Sequence, residues 1–315
     1  MTSNVPEILA LLGPSVLEGV PIGPETMVYL VDPSNSSAAD TNSGLHPDAV
    51  LATVTKGEDK CVSGQNDVVL LFGGATAETA TTTITWDKSY THLKGVSANL
   101  PGMGQRARIQ GGATTDVTEV LTVSGSGCYF ANLQIANWAD ADADSGAATI
   151  SGSRNVFPNV FFAGMGHATP AARAGAYSLK ITGAENLLSR CTIGLDTIIR
   201  AAANSELHVS GTRNRIWDSE ILSYSDTAGK FAVTIAEGVD RWVEFKDVLF
   251  HNFSTNWSQA LTNAFTVTAA STHYIILRGN CQFVGFTGIA DTVTHIYGAG
   301  AAPNAGMFLS TNPTT

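Results

Sequence analysis

The chain has 315 residues, of which 44% are hydrophobic and 14% charged, with 31 glycines and a formal net charge of −10. That apolar content excludes a disordered chain, and the acidic balance excludes a nucleic-acid backbone or an anionic membrane surface as the main partner. No apolar run approaches the ~18 residues of a membrane helix.

The N-terminus, MTSNVPEILALLG, has a short apolar run without a basic region before it. It reads as an arm or a short helix, not as a signal peptide. Residues 1–45 are rich in Pro, Ser, Asn and Gly and are predicted to form an extended arm. Residues 46–66 form a capping segment: GLHPDAVLATVTK (Gly44–Lys56) has an early Pro and apolar residues at helical spacing, which predicts a short helix covering the first strand region. DVVLLFGG, Asp67 to Gly74, reads as the first buried strand with a glycine exit. Cys61, Cys128, Cys191 and Cys281 are widely spaced without a CxxC, and read as buried small hydrophobes in a protein that folds under reducing conditions.

From Val123 the chain repeats itself. VSGSGCYFANLQI, ISGSRNVFPNVFF, ITGAENLLSRCTI and VSGTRNRIWDSEI start at Val123, Ile150, Ile181 and Val209. Two positions on stands Gly125, Gly152, Gly183 or Gly211; seven on, Phe130, Phe157, Leu188 or Ile216; twelve on, Ile135, Phe162, Ile193 or Ile221. Asn155, Asn186 and Asn214 share the fifth position. Looser copies start at Ile84, Ile235 and Val267; in the Ile235 copy, Asp240 takes the Asn position and Trp242 the next anchor. Alternating apolar residues set one face of each strand inward. The fixed Gly is expected to supply a positive φ at a corner, and Asn to bond to an Asn one rung away. Constant local spacing with variable loops predicts stacked rungs around one continuous core. A β-sandwich, the competing architecture, has turn signals every 8–12 residues and no shared register. The predicted fold is all-β: a right-handed, single-stranded parallel β-helix over residues 67–298, with an N-terminal capping helix, extended arms and a tail at 299–315.

Candidate chemistry on this frame is sparse. Asp218, Glu220, Glu244 and Asp247 project from the rungs with Arg213, Arg215 and Arg241 nearby, and Asp218 and Glu220 occupy alternate positions of one strand. A solvated outer face accounts for them as well as catalysis does. ADADADSGA holds Asp140, Asp142 and Asp144 at calcium-loop spacing, but the sixth position is Ser145 and the twelfth Ser151 in place of a bidentate Glu. It reads as an acidic loop between rungs. His167, in MGHATP, reads as a surface-loop histidine, and GMGQRA (Gly102–Ala107) has too few glycines for a nucleotide fingerprint. Trp242 is predicted to be core, whereas Trp138 and Trp257 lie near loops that suit an interface or a sugar. No cofactor, metal or catalytic residue is assigned.

VYLVDPSNSSAADTNSGLHPDAVLATVTK, NDVVLLFGG and ITWDKSYTHLKGV, in that order, resemble the pectate-lyase-like right-handed β-helix proteins, and the last resembles structural proteins of tailed bacteriophages. The enzyme strings of that group, an Asn-Thr-Asp strand, an Asp-Asp pair, a Gly-His-Gly and an Arg-x-Lys, do not occur. The resemblance implies a homotrimeric virion protein made in the host cytoplasm. With only short segments flanking the coil, it implies a decoration (cement) protein on the head exterior that binds the major capsid protein and has no catalytic step. The arm would make that contact through Ile8, Leu9, Leu11 and Leu12. The alternative is a tailspike or tail-fibre protein that binds or depolymerises host surface polysaccharide.

Overall fold

The computed structural model describes residues 3–98, 107–225, 231–236, 241–253, 261–268, 274–290, 296–297 and 308–310. Three parallel sheets run the length of the coil. Among the described residues sheet A has ten strands, sheet B nine and sheet C eight, and each strand pairs with the strand one rung away in sequence. The chain passes from A to B to C and back to A, a right-handed parallel β-helix. The repeat register holds: Phe130, Phe157, Leu188 and Ile216 stack inside sheet A, and Ile135, Phe162, Ile193 and Ile221 inside sheet B. Phe130 and Phe157 stack with centroids 5.0 Å apart. The Ile84 copy joins the same register two residues later, with Trp86 beside Val123 and Leu93 beside Phe130.

The corners work differently from the sequence expectation. Gly152 and Gly183 do not adopt a positive φ; a Cβ on Gly183 would lie 1.9 Å from the Gly152 carbonyl oxygen, and one on Gly152 as close to that of Gly125. These glycines allow rungs to stack backbone on backbone. The left-handed residues at this corner are Arg154, Glu185 and Arg213, with φ of 60°, 63° and 58°. The asparagines form a ladder with the backbone, not with one another. Asn186 Oδ1 accepts the Asn155 N–H at 2.9 Å, and its amide donates to the Gly152 carbonyl at 3.1 Å. Asn155 and Asn214 repeat the pattern on their own rungs. Asn186→Ala would orphan a buried donor and a buried acceptor. It is expected to cost about 1–3 kcal/mol, read as a lower denaturant midpoint at unchanged m-value.

The register slips after Ile235. Val243 pairs with Asn214, Phe245 with Ile216, and Trp242 with Tyr274, so Phe245 takes the inward anchor predicted for Trp242. Three more residues at this corner than in the rungs from Val123, Ile150, Ile181 and Val209 turn Trp242 outward, and the Val267 rung, whose Leu277 stacks on Phe245, has the same offset. Asp240 and Trp257 lie outside the described residues, as does most of the 299–315 tail, although Phe308–Ser310 pairs with Gln282–Val284 as the last strand of sheet B.

The coil begins earlier than residue 67. Val28–Val31 pairs with Asp67–Phe72 and forms the edge of sheet A. Both strands are buried on both faces, as continuous apolar runs demand. Inside lies the core. Outside lies the segment predicted to be an extended arm, which instead folds as helix α1 (Val5–Leu12) and a 3₁₀ turn (Pro14–Leu17) on Val28, Leu30, Val68 and Leu70. Ile8 is fully buried, Leu9 and Leu12 pack on the same cluster, and Leu11 is 49% exposed. The four residues assigned to a capsid contact thus lie on the coil's own first rungs, and of the four only Leu11 is exposed.

Helix α2 (Val54–Lys60), later than predicted, plugs the open end: Val54 joins the core, and Gly57 sits against Val31 and Val69. Glu78 accepts the Val54 N–H at 2.8 Å, and burial pushes its pKa up to about 8. Since the folded value lies above the unfolded one, folding favours the protonated acid, and stability is lost as pH rises from the ordinary carboxyl range through about 8. Glu78→Gln is therefore expected to flatten the fall of Tm over that window, with wild type and variant closest at its acidic end.

Candidate functional site

Sheets A and B meet at a one-residue corner built from Asn132, Asn159, Arg190, Asp218 and Asp247, all at left-handed φ between 50° and 57°. Stacking of this corner and the strand after it creates a groove of about 610 Å³. Its floor is the outward column Thr192, Glu220, Leu249 and Gln282 of sheet B, and its rim the corner residues Arg190, Asp218 and Asp247. In the same outward column Phe161 stands beside Thr192, and it packs with Ala136, Ala163, Leu195 and Trp138.

The carboxylates in the groove are not equivalent. Asp218 is exposed, and its carboxylate makes no hydrogen bond or ion pair among the described residues. Glu220 is half-buried, and desolvation raises its pKa; nearby His251 opposes that shift and Asp196 adds to it. Asp247 is held by the chain itself, accepting the Asn280 N–H at 2.7 Å. Two residues apart, Asp218 and Glu220 have α-carbons within ~7 Å. Such a pair can serve the two sides of one glycosidic bond, one carboxyl kept protonated as an acid and the other charged.

Asp196 stands on a loop pinned from beneath. Arg200 and Glu206, 2% and 0% exposed, pair at 2.6 and 3.2 Å; Glu206 also accepts from Ser178, and Arg200 donates to the Met165 carbonyl. This polar knot ties the loops 164–178 and 195–206 to the flank of the coil. Burial raises the pKa of Glu206 in spite of its cationic partner.

The structure brings together Asp218, Glu220 and Asp247 of the sequence candidates and separates off Glu244, which faces out from sheet A. Arg213 pairs with Glu185 at 2.6 Å, and Arg215 lies over Trp242. Arg190, Thr192, Asp196 and His251 escaped sequence reasoning. Thr192 was findable: Ile193 and Ile221 share a rung position, so Thr192 must lie beside Glu220. Asp142 pairs with Arg173 at 3.2 Å, and Asp144 accepts the Gly175 N–H, so the acidic loop is tied to the next one. Among the described residues no three His, Cys, Asp or Glu converge as metal ligands. His167 caps the short helix Ala168–Ala171, and the four cysteines are free and buried.

No protein-family model and no curated protein matches this sequence. Solved structures do. Pectin methylesterase PemA from Erwinia chrysanthemi is 14% identical, with a TM-score of 0.58 over 90% of this chain and 92% of that one. The pectate lyase Pel9A is 14% identical, with a TM-score of 0.57 over 95% of this chain and 83% of that one. Pectin methylesterase from carrot gives 13% and 0.56, over 94% and 89%. The fold is that of the pectate-lyase-like β-helices. At these identities the likeness extends to the fold, but it corrects one expectation. A β-helix of structural type implies a chain with no catalytic step, whereas these similar β-helices are a lyase and methylesterases. The scaffold gives no ground for excluding an enzyme.

Proposed function

We propose that this protein binds and cleaves a polysaccharide in the groove at the A–B corner, with Glu220 as proton donor and Asp218 as the second carboxylate. The observation that carries this reading is the pairing, in one groove, of a desolvated carboxyl with an exposed one. The adjacent Trp217 offers an aromatic ring to a sugar. Arg190 supplies positive charge at the rim, and His251 adds to it near Glu220 when protonated. In the bacteriophage setting that the sequence resembles, the polymer is host surface polysaccharide and the protein a tailspike or fibre. The enzyme neighbours are consistent with this polysaccharide reading and lend nothing to a capsid-decoration role.

The test is incubation with a panel of bacterial capsular and lipopolysaccharide O-chains, following reducing ends and the ultraviolet absorbance of unsaturated sugars. New reducing ends without that absorbance support hydrolysis by the two carboxylates. Unsaturated product would replace it with elimination, and binding without turnover with a receptor-binding fibre.

A further inference from the structure

A second surface lies round the corner from the groove, on the outer face of sheet A. Trp242 pairs with Tyr274, Arg215 with Glu244, and Trp217 with Lys246, which in turn pairs with Arg278. These residues form adjoining outward columns, rungs ~4.8 Å apart and outward neighbours on one strand ~6.6 Å apart. The interior here is filled by Phe245 and Leu277, 0% and 2% exposed, so the outer rings are not needed for the core. Tyr274 is nevertheless 45% exposed and both tryptophans are half-buried.

The rings are held in place. Glu244, 6% exposed, accepts from Trp217 Nε1 at 3.1 Å and meets Arg278 at 3.3 Å. The Arg215 guanidinium lies 5.0 Å from the Trp242 centroid and 5.9 Å from that of Trp217, and has no carboxylate partner among the described residues. Lys246 stands 5.6 Å from the Trp217 ring. A chain with net charge −10 thus places Arg215, Lys246 and Arg278 on one face with three aromatic rings, Lys246 also meeting Asp247 at 3.7 Å. Charges farther than a Debye length, ~8 Å at physiological salt, are screened. A ligand on this face therefore meets its local groups, three cations and their two partner carboxylates, with Arg215 unpaired among the described residues, and not the global acidity.

We propose that this face is a second, non-catalytic glycan-binding surface that holds an anionic polysaccharide chain. The inference rests on the polysaccharide reading above and adds the charge class of the polymer. The apolar C–H faces of sugar rings stack on indole and phenol rings, and carboxylate, sulfate or phosphate substituents pair with the arginines and Lys246. The rung spacing is comparable to the length of a sugar residue, so successive sugars meet successive rungs. Trp217 directly precedes Asp218, which joins this surface to the groove and lets a chain held here feed into it.

The experiment is affinity electrophoresis of the full chain in gels containing hyaluronan, an anionic polymer, or dextran, a neutral one. Hyaluronan is expected to retard the protein in a salt-sensitive manner and dextran to do so far less. Arg215→Ala and Trp242→Ala, each confirmed folded by circular dichroism, are expected to raise the apparent Kd for hyaluronan on the order of 10-fold. Asp218→Asn and Glu220→Gln are expected to leave retardation unchanged, so a failed groove is told apart from a failed surface. Absent retardation, equal retardation by dextran, or wild-type retardation of Trp242→Ala overturns the proposal. So does a loss of sedimenting mass in Trp242→Ala without weaker hyaluronan binding, which would make this face a contact between copies.

Discussion

Glu220→Gln is expected to lower turnover of a cleaved polysaccharide about 10²–10⁴-fold, the usual contribution of a positioned general acid. The amide keeps the size of the side chain and its place on the sheet B strand, but has no proton to deliver. Its KM is expected to change little, because substrate contacts are spread over the groove rim and Trp217. The pH profile adds a check that a structural role would not move. Burial holds the Glu220 carboxyl above its ordinary value, so the alkaline limb of kcat/KM in the wild type reports its deprotonation and should vanish in the variant. Asp218→Asn is expected to lose activity on a similar scale while keeping that limb. Wild-type turnover by Glu220→Gln would remove Glu220 from the chemistry.

Arg200→Ala is expected to destabilise the protein by ~3–5 kcal/mol, because it leaves a fully buried carboxylate without its cation. The measurement is the urea midpoint. The double variant Arg200→Met, Glu206→Leu should lie much closer to wild type than the single one, since it removes both charges from the same volume. The single variant also links stability to pH. Glu206 must then take up a proton to stay buried, so its deficit should grow as pH rises. The loop that Arg200 anchors carries Asp196 beside Glu220, so activity in the double variant reports how far the knot positions the groove wall. A single-variant loss below about 1 kcal/mol would mean that Glu206 is neutral in the native protein and the pair contributes little.

The coil is legible because its cause is local. A strand turns its side chains in and out with period two, and rungs stack only if every rung keeps the same length between corners. Val123, Ile150, Ile181 and Val209 therefore announce their neighbours in sequence alone. Trp242 escapes that logic because its three extra corner residues are invisible without knowing that Phe245 stacks beside Ile216. The run DVVLLF carries a further signal. Apolar residues on both faces of a strand require cover on the outside as well as the inside, and that cover is helix α1, in the segment whose composition suggests a free arm.

The parallel β-helix, its register from Val123 to Ile235, and the closeness of Asp218 to Glu220 are all written in short stretches of the chain. They come from side-chain alternation within each strand and from a glycine recurring at a fixed place in each rung, both readable in a few adjacent residues; that Gly183 stacks on Gly152 backbone to backbone is a tertiary fact. Folding in three dimensions was needed to lay α1 on its own coil, to bring Arg190 and His251 near the two carboxylates, and to give an acidic chain a cationic aromatic face. Arg215, Trp242, Lys246 and Arg278 form no run in the sequence; they meet because each rung sets its outward residues beside those of the next. Charge and chemistry on a β-helix are summed across rungs, and that sum is fixed only when loop lengths have set which residues stack.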